Sequence, residues 1–429
     1  MISVADQPWF QDPALLRVLT LLNANGGQAR VVGGAVRNSL LSAPVGDIDL
    51  ATTLLPTDVM ARAEATGIKA IPTGIEHGTV TLVVDGKPFE VTTLRRDVST
   101  NGRHAAVAFG TDWQEDAERR GFTINALYAD QSGTIIDLVG GLADIESATL
   151  RFIGDAHLRI TEDYLRVLRF FRFFAWYGRG RPDANGLRAC AAARDKLGQL
   201  SAERVWSEMK KLLSAKDPGR ALLWMRQAGV LTAILPETEK WGIDALPGLI
   251  ATQNALGWQP EPLLRLAAMV PNDPERLKTL SARLKLSKAE AEFLQLFAAA
   301  PKLSDGMSEL ALDRLLYQHG KPGILASLRL QLANARSRAE GDTEAMAQTA
   351  RLSRFLQRAE AFEKPSFPIS GADVMAHGIS AGPQVGTILR ELENIWVQAN
   401  FTFEREKMLS RLKDKISAAS EVPSDQGNN

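Results

Sequence analysis

The stretch VVGGAVRNSLLSAPVGDIDLATT, residues 31–53, places a short apolar strand, a Gly33-Gly34 turn, a helix and a second strand in quick succession. The second strand opens on Asp47-Ile48-Asp49. Side chains alternate along a strand, so two carboxylates project side by side while Ile48 turns inward. Glycines without side chains let backbone N–H groups approach an anion, and the helix that follows favours negative charge at its start. Arg37 adds a guanidinium able to clamp phosphate oxygens through paired hydrogen bonds. Paired carboxylates next to a phosphate cradle suit Mg²⁺, which takes oxygen ligands and shares them with phosphates. Two such ions can activate a hydroxyl and stabilise a leaving oxygen in an in-line displacement.

Working outward, residues 13–25 read as a helix with Pro13 in the first turn and Asn25-Gly26-Gly27 as its stop. GTVTLVVDG and FEVTTLRRD read as strands joined through Asp85-Gly86, and they carry Glu90 as a candidate third carboxylate. GFTINALYAD and TIIDLVGG read as two more strands, which makes residues 1–150 a small mixed α/β domain. EDYLRVLRFFRFFAWYG then has helical spacing, with Thr161 as N-cap and Gly178 as stop, and only helices follow to about residue 418. Four divisions are expected: a head at 1–150, a helical neck at 151–215, a body at 216–340 and a tail at 341–418. Residues 419–429 are expected to be disordered.

Bulk properties set limits on function. The chain has 429 residues, more than one ordinary core holds. A single cysteine, Cys190, excludes an intrachain disulfide, and no secretory signal or membrane-length apolar run is evident, so a cytoplasmic location is expected and no membrane partner. The formal net charge is +0, yet residues 151–196 hold ten Lys or Arg against five Asp or Glu. A polyanion-binding protein concentrates positive charge locally in this way. No zinc site is apparent among the five histidines.

VVGGAVRNSLLSAPVGDIDLATT, HGTVTLVVDG, FEVTTLRRD, ERRGFTINALYA and EDYLRVLRFFRF, in this order, resemble the bacterial (class II) CCA-adding tRNA nucleotidyltransferases and their poly(A) polymerase relatives. Several spaced motifs in one order are far more specific than any one pattern. The resemblance is close over residues 28–180 and weaker beyond. It implies an α+β protein with a polymerase-beta-like head followed by an all-helical neck, body and tail. It implies ATP and CTP as substrates, Mg²⁺ as cofactor and the tRNA 3′ end as acceptor. Asp47 and Asp49 would bind metal, with Glu90 completing the catalytic set. Gly33, Gly34, Arg37, Arg120, Asn125, Asp163, Arg166, Arg169 and Arg172 would contact the nucleotide.

Two positions depart from the family pattern, which often has Asp at Asn38 and usually has Asp at Gly121. The latter acid is linked to placing the nucleotide sugar. His77-Gly78-Thr79-Val80 favours the CCA-adding type, and LRRDVSTNGRHAAVAFG fits the flexible loop linked to the switch from C to A addition. Poly(A) synthesis, partial CC or A addition, and an RNA-binding relative without catalysis remain open readings, as does the oligomeric state.

On the expected neck helix, Asp163 and Arg166 are three residues apart and would share a face. Cytosine and adenine both present an exocyclic amine beside an unprotonated ring nitrogen. A carboxylate accepts from the first and a guanidinium donates to the second. Uracil and guanine reverse both polarities.

Overall fold

The computed structural model describes residues 2–101, 104–238, 242–304 and 306–420. The chain divides into two compact units, residues 1–244 with 260–262, and residues 245–259 with 263 onward. Trp241, residues 102–103 and residues 421–429 lie outside the described residues.

The first unit is built on a sheet with strand order β3-β4-β5-β2-β1-β8-β9. Its strands are β1 (Ala29–Val32), β2 (Asp49–Thr52), β3 (Lys69–Gly74), β4 (Thr79–Val84), β5 (Lys87–Thr93), β8 (Leu127–Ala129) and β9 (Ile135–Asp137). A separate antiparallel pair, β6 (Arg95–Asn101) and β7 (His104–Phe109), forms where the sequence suggested a flexible loop. The β4–β5 hairpin turns at Asp85 (φ 51°) and Gly86 (φ 78°), the left-handed pair expected of Asp-Gly. Strand β3 was not anticipated. It is a mostly exposed edge strand containing Pro72, so it lacks the apolar alternation that marks a strand.

Strand alternation sorts the sheet into two faces. Val31, Leu50, Leu82, Phe89 and Val91 pack on one side with α1 (Pro13–Asn23), α2 (Gly34–Leu40) and α3 (Pro56–Ala65). Helix α1 starts on Pro13, with the Asp12 carboxylate accepting the Ala14 N–H at 3.0 Å, and buries Leu15, Val18, Leu19 and Leu22. Val32, Ala51 and Leu94 pack on the other side with Ala117 of α4 (Trp113–Arg119), Tyr128 and Ile153. Asp49 and Glu90 belong to this second face by parity with Ala51 and Thr92.

Helices α5 (Gly141–Glu146), α6 (Ala156–Glu162), α7 (Leu165–Tyr177), α8 (Ala184–Ala192), α9 (Ala202–Leu213), α10 (Gly219–Gln227) and α11 (Val230–Ile234) complete the unit. The aromatic rings of Phe122, Phe152, Phe170 and Phe173 join α7 to the segment after α4. Phe152 stacks on Phe170 at 5.4 Å and Phe122 meets Phe173 edge-on at 5.3 Å.

The second unit is all helix. One core gathers residues from Glu309–His319, Lys321–Arg338 and Thr343–Ala361. Another gathers Val374, Ile388, Leu392, Trp396, Met408 and Leu412 from the last three helices, beside Tyr317. Arg405 is engaged within this unit, donating to Pro368 O at 2.8 Å and to Asp373. Among the described residues, no helix is long and apolar enough to cross a membrane.

Candidate active site

The site begins where two strands run side by side. Strand β2 pairs in parallel with β5 so that Asp49 lies opposite Glu90. Asp47 precedes the strand, and all three residues reach solvent, while the Asp49 carboxyl is partly enclosed by its neighbours and Ile48 packs against the core. Crowding shows in the electrostatics. The pKa of Asp49 is raised, first by desolvation and then by Glu90 and Asp47, with Arg120 opposing. Among the described residues, no three His, Cys, Asp or Glu side chains gather closely enough to hold an ion by themselves. The donor set, Asp49 opposite Glu90 with Asp47 just before the strand, is all carboxylate oxygen and suits Mg²⁺, which completes its shell with substrate phosphate and water.

Arg120 follows α4 and is held by an acid that sequence reasoning missed. Asp116 is 1% exposed. Its Oδ1 accepts from Arg119 Nε and Nη2 at 2.9 and 2.7 Å. Its Oδ2 accepts from Arg120 Nε and Nη2 at 3.1 and 3.0 Å and from the Tyr128 hydroxyl at 2.8 Å. Burial opposes its ionisation, but Arg120, Arg119 and Tyr128 more than offset that and lower its pKa. The same burial pushes the Tyr128 hydroxyl up. The spacing of Asp116 to Arg119 and Arg120, three and four residues, was the available signal.

Arg37 is placed differently from the expected phosphate clamp. It is 7% exposed. Nε and Nη2 donate to Asn38 Oδ1 at 3.1 and 2.9 Å, Nη2 donates to the Tyr177 hydroxyl at 3.0 Å, and Nη1 donates to Asn125. Four of its five N–H groups thus serve protein acceptors, and its guanidinium lies 4.3 Å from the Tyr177 ring centre. Arg37 and Asn125 brace α2 to α7 rather than reaching outward. Asn38 suits this brace, since its amide also donates to Pro44 O at 2.7 Å, which an ionised Asp cannot do. Gly33, at φ 77°, caps α2 in a conformation that favours glycine, with Gly34 as the first helical residue. Replacing Arg37 by Met takes the donor from the half-buried Asn125 and Tyr177 oxygens and leaves Asn38 Oδ1 with the Tyr177 hydroxyl alone, so a loss of about 2 kcal/mol is expected in urea denaturation.

The expected single neck helix is two. Thr161 lies inside α6, and Asp163 is an extended residue (φ −154°, ψ 106°) between α6 and α7. Its carboxylate caps the second helix, with Oδ1 accepting the Leu165 N–H at 3.1 Å. Arg166 stands in the first turn of α7, so the two residues adjoin across a helix start rather than along one helix face. Arg166 Nη1 donates to Arg159 O at 2.8 Å and to Glu162. Its Nε and Nη2 have no hydrogen-bond partner among the described residues. Beside that free edge lies Gly121, where a Cβ would stand 3.7 Å from Arg166 Nε.

Residues 120 and 121 therefore join both halves of the site. Arg120 acts on Asp49 electrostatically, and a Cβ at position 121 would stand 3.7 Å from Arg166 Nε. Further along α7, Arg169 and Arg172 both meet Glu208 of α9, while Arg204 of α9 meets Asp163. Sequence reasoning missed Arg204 and Glu208. The signal for Glu208 was an acid at an inward position of a strongly two-faced helix, between Val205, Met209 and Leu212.

This head, with paired carboxylates on a small sheet and an arginine-lined helix beside them, defines a nucleotidyltransferase. Residues 29–151 match the family described as the Poly A polymerase head domain, and residues 183–241 match the probable RNA and SrmB-binding site of polymerase A. The chain is 34% identical to the mouse mitochondrial CCA tRNA nucleotidyltransferase 1, over 93% of this chain and 89% of that one. It is 31% identical to the CCA-adding enzyme of Lacticaseibacillus paracasei, over 94% and 96% of the two chains. The solved structure of the Bacillus stearothermophilus CCA-adding enzyme in complex with CTP has a TM-score of 0.75 at 29% identity, covering 97% of this chain and 100% of that one. The chain belongs to the CCA-adding tRNA nucleotidyltransferase family, whose members here include animal as well as bacterial enzymes.

Proposed function

We propose that this protein adds C, C and A to the 3′ end of tRNA, using CTP and ATP without a nucleic-acid template. The observation that carries the reading is the continuity of the site. Arg120 lies within electrostatic reach of Asp49, and the Cβ position of the next residue, Gly121, faces Arg166 Nε at 3.7 Å.

Asp47 and Asp49, with Glu90 beside them, would hold Mg²⁺, which supplies positive charge to the triphosphate and to the attacking hydroxyl. Asp163 accepts from the exocyclic amine of the incoming base, and the free Nε–Nη2 edge of Arg166 donates to its ring nitrogen. Arg169 and Arg172 attract the triphosphate. The terminal 3′ oxygen of tRNA gives up its proton to solvent water and bonds to the α-phosphorus. The bond from that phosphorus to the bridging oxygen breaks, and pyrophosphate leaves with that oxygen. No covalent link to the protein is required. The reading includes a cytoplasmic location.

The deciding assay supplies tRNA lacking its CCA end, Mg²⁺ and each labelled nucleotide in turn. Addition of C, C and A followed by arrest is the expected result. Long A tails would make it a poly(A) polymerase, arrest after C residues a partial enzyme, and no incorporation a binding protein.

A further inference from the structure

Helix α9 carries a charged pair on the face that meets α7. Arg204 and Glu208 are four residues apart, so they lie one above the other. Glu208 is 6% exposed, between inward-facing Val205, Met209 and Leu212. A carboxylate in that position is costly unless it is paired. Both of its partners are on α7: Oε1 accepts from Arg169 Nε at 3.4 Å and Oε2 from Arg172 Nε at 2.5 Å. Each bond uses Nε, which fixes the plane of the guanidinium. The terminal nitrogens of Arg172 have no hydrogen-bond partner among the described residues. Arg204 works on the other reader. Its Nη2 donates to Asp163 Oδ1 and Oδ2 at 3.1 and 3.0 Å, holding the carboxylate from the side of α9.

We propose that Arg204 and Glu208 are positioning residues for nucleotide choice: Arg204 sets the orientation of the Asp163 carboxylate, and Glu208 aims Arg169 and Arg172. The inference rests on the reading of Asp163 and Arg166 as the base-recognising pair. The two residues have separable effects. A loosened Asp163 can turn away from the amine of cytosine, so losing Arg204 weakens the preference for CTP over UTP. Losing the Glu208 charge loosens Arg169 and Arg172, the arginines proposed to attract the phosphates that every nucleotide shares. Arg169 Nη1 also lies 3.8 Å from Asp163 Oδ2, but Arg204 still holds both oxygens of that carboxylate at hydrogen-bond distance. Binding of CTP and ATP then weakens alike, with the base preference kept. A brace that only held α7 against α9 would lower the melting temperature and the amount of active enzyme, and would leave KM and preference untouched.

The test uses the full chain, tRNA lacking its CCA end and Mg²⁺, with kcat and KM measured separately for CTP, ATP and UTP, and melting temperatures alongside. Arg204→Ala is expected to reduce the CTP over UTP preference about tenfold, the scale of one impaired hydrogen bond in base reading. Arg204→Lys keeps the charge but not the planar fork, so it restores the preference in part. Should Arg204→Ala not fold, Arg204→Lys alone must show a smaller loss in the same direction. Glu208→Gln is expected to raise KM for CTP and ATP together, with their ratio unchanged. Arginine variants with the wild-type CTP over UTP ratio, or a Glu208→Gln defect confined to kcat, overturn the inference while base reading by the wild type stands. A wild-type enzyme that uses UTP as readily as CTP removes the base reading itself, and this inference with it.

Discussion

Replacing Asp49 by Asn is expected to abolish nucleotide addition, by about a thousandfold or more, and at the same time to raise the melting temperature of the metal-free protein. The first effect follows from removing one of two carboxylates placed to hold a divalent ion against triphosphate. The second follows from the direction of its pKa shift. Desolvation comes first among the causes, then the like charges of Glu90 and Asp47, and together they raise the pKa of Asp49 despite Arg120. A carboxyl whose folded pKa lies above its unfolded one makes no difference to stability at pH below both values, where it is neutral in both states. As pH rises through the folded pKa, the native state must ionise a group it disfavours, and stability falls. At neutral pH the full penalty is present, and a neutral isostere removes it. Melting curves in EDTA at pH 7 should therefore rank Asp49→Asn above the wild type, with the gap closing as pH falls into the carboxylate range. Mg²⁺ with CTP should reverse the order, since a ligand at a hundred times its Kd stabilises the native state by about 2.7 kcal/mol. A variant that melts below the wild type in EDTA, or that turns over normally, would contradict the assignment.

That opposition between stability and function explains why some of the site was legible in the sequence and some was not. Asp47-Ile48-Asp49 could be read from its alternation of acid, apolar and acid residues, although β2 begins only at Asp49 and Asp47 lies before it. Gly33-Gly34 before Arg37 was legible as a turn, but the use made of Arg37 was not. Whether a guanidinium faces a ligand or a buried brace depends on Asn125 and Tyr177, which lie 88 and 140 residues away. The break between α6 and α7 was hidden for a local reason. EDYLRVLRFF keeps a helical apolar period across it, and the interruption comes from the Asp163 carboxylate bonding the Leu165 N–H, a competition between side chain and backbone that periodicity does not record. The β6–β7 pair was missed because its residues are largely polar or small and have no marked apolar face. Glu208 and Asp116 were visible as acids near arginines, but their burial was not, and burial is what makes them matter.

Asp163→Asn is expected to change which base is accepted more than how fast the enzyme works. The substitution keeps size and one carbonyl-like oxygen, so Arg204 and the Leu165 N–H can still be satisfied. It adds an NH₂, a donor where the native group offers only acceptors. With the wild type, uracil places a carbonyl against the carboxylate and an N–H against the Arg166 guanidinium, and each mismatch costs about 1–3 kcal/mol. The amide can turn its NH₂ toward that carbonyl and remove the first mismatch, while the second persists because Arg166 is unchanged. The ratio of kcat/KM for CTP over UTP should therefore shrink by about 10- to 100-fold, through loss with CTP and gain with UTP, and ATP over GTP should shrink in parallel. Full reversal is not expected while Arg166 remains. The comparison must be made on tRNA ending before CCA, at saturating Mg²⁺, with all four nucleotides and a melting curve for each protein. A ratio that stays at the wild-type value while all four rates fall together would mean that Asp163 merely holds the junction of α6 and α7, and that the base is read elsewhere.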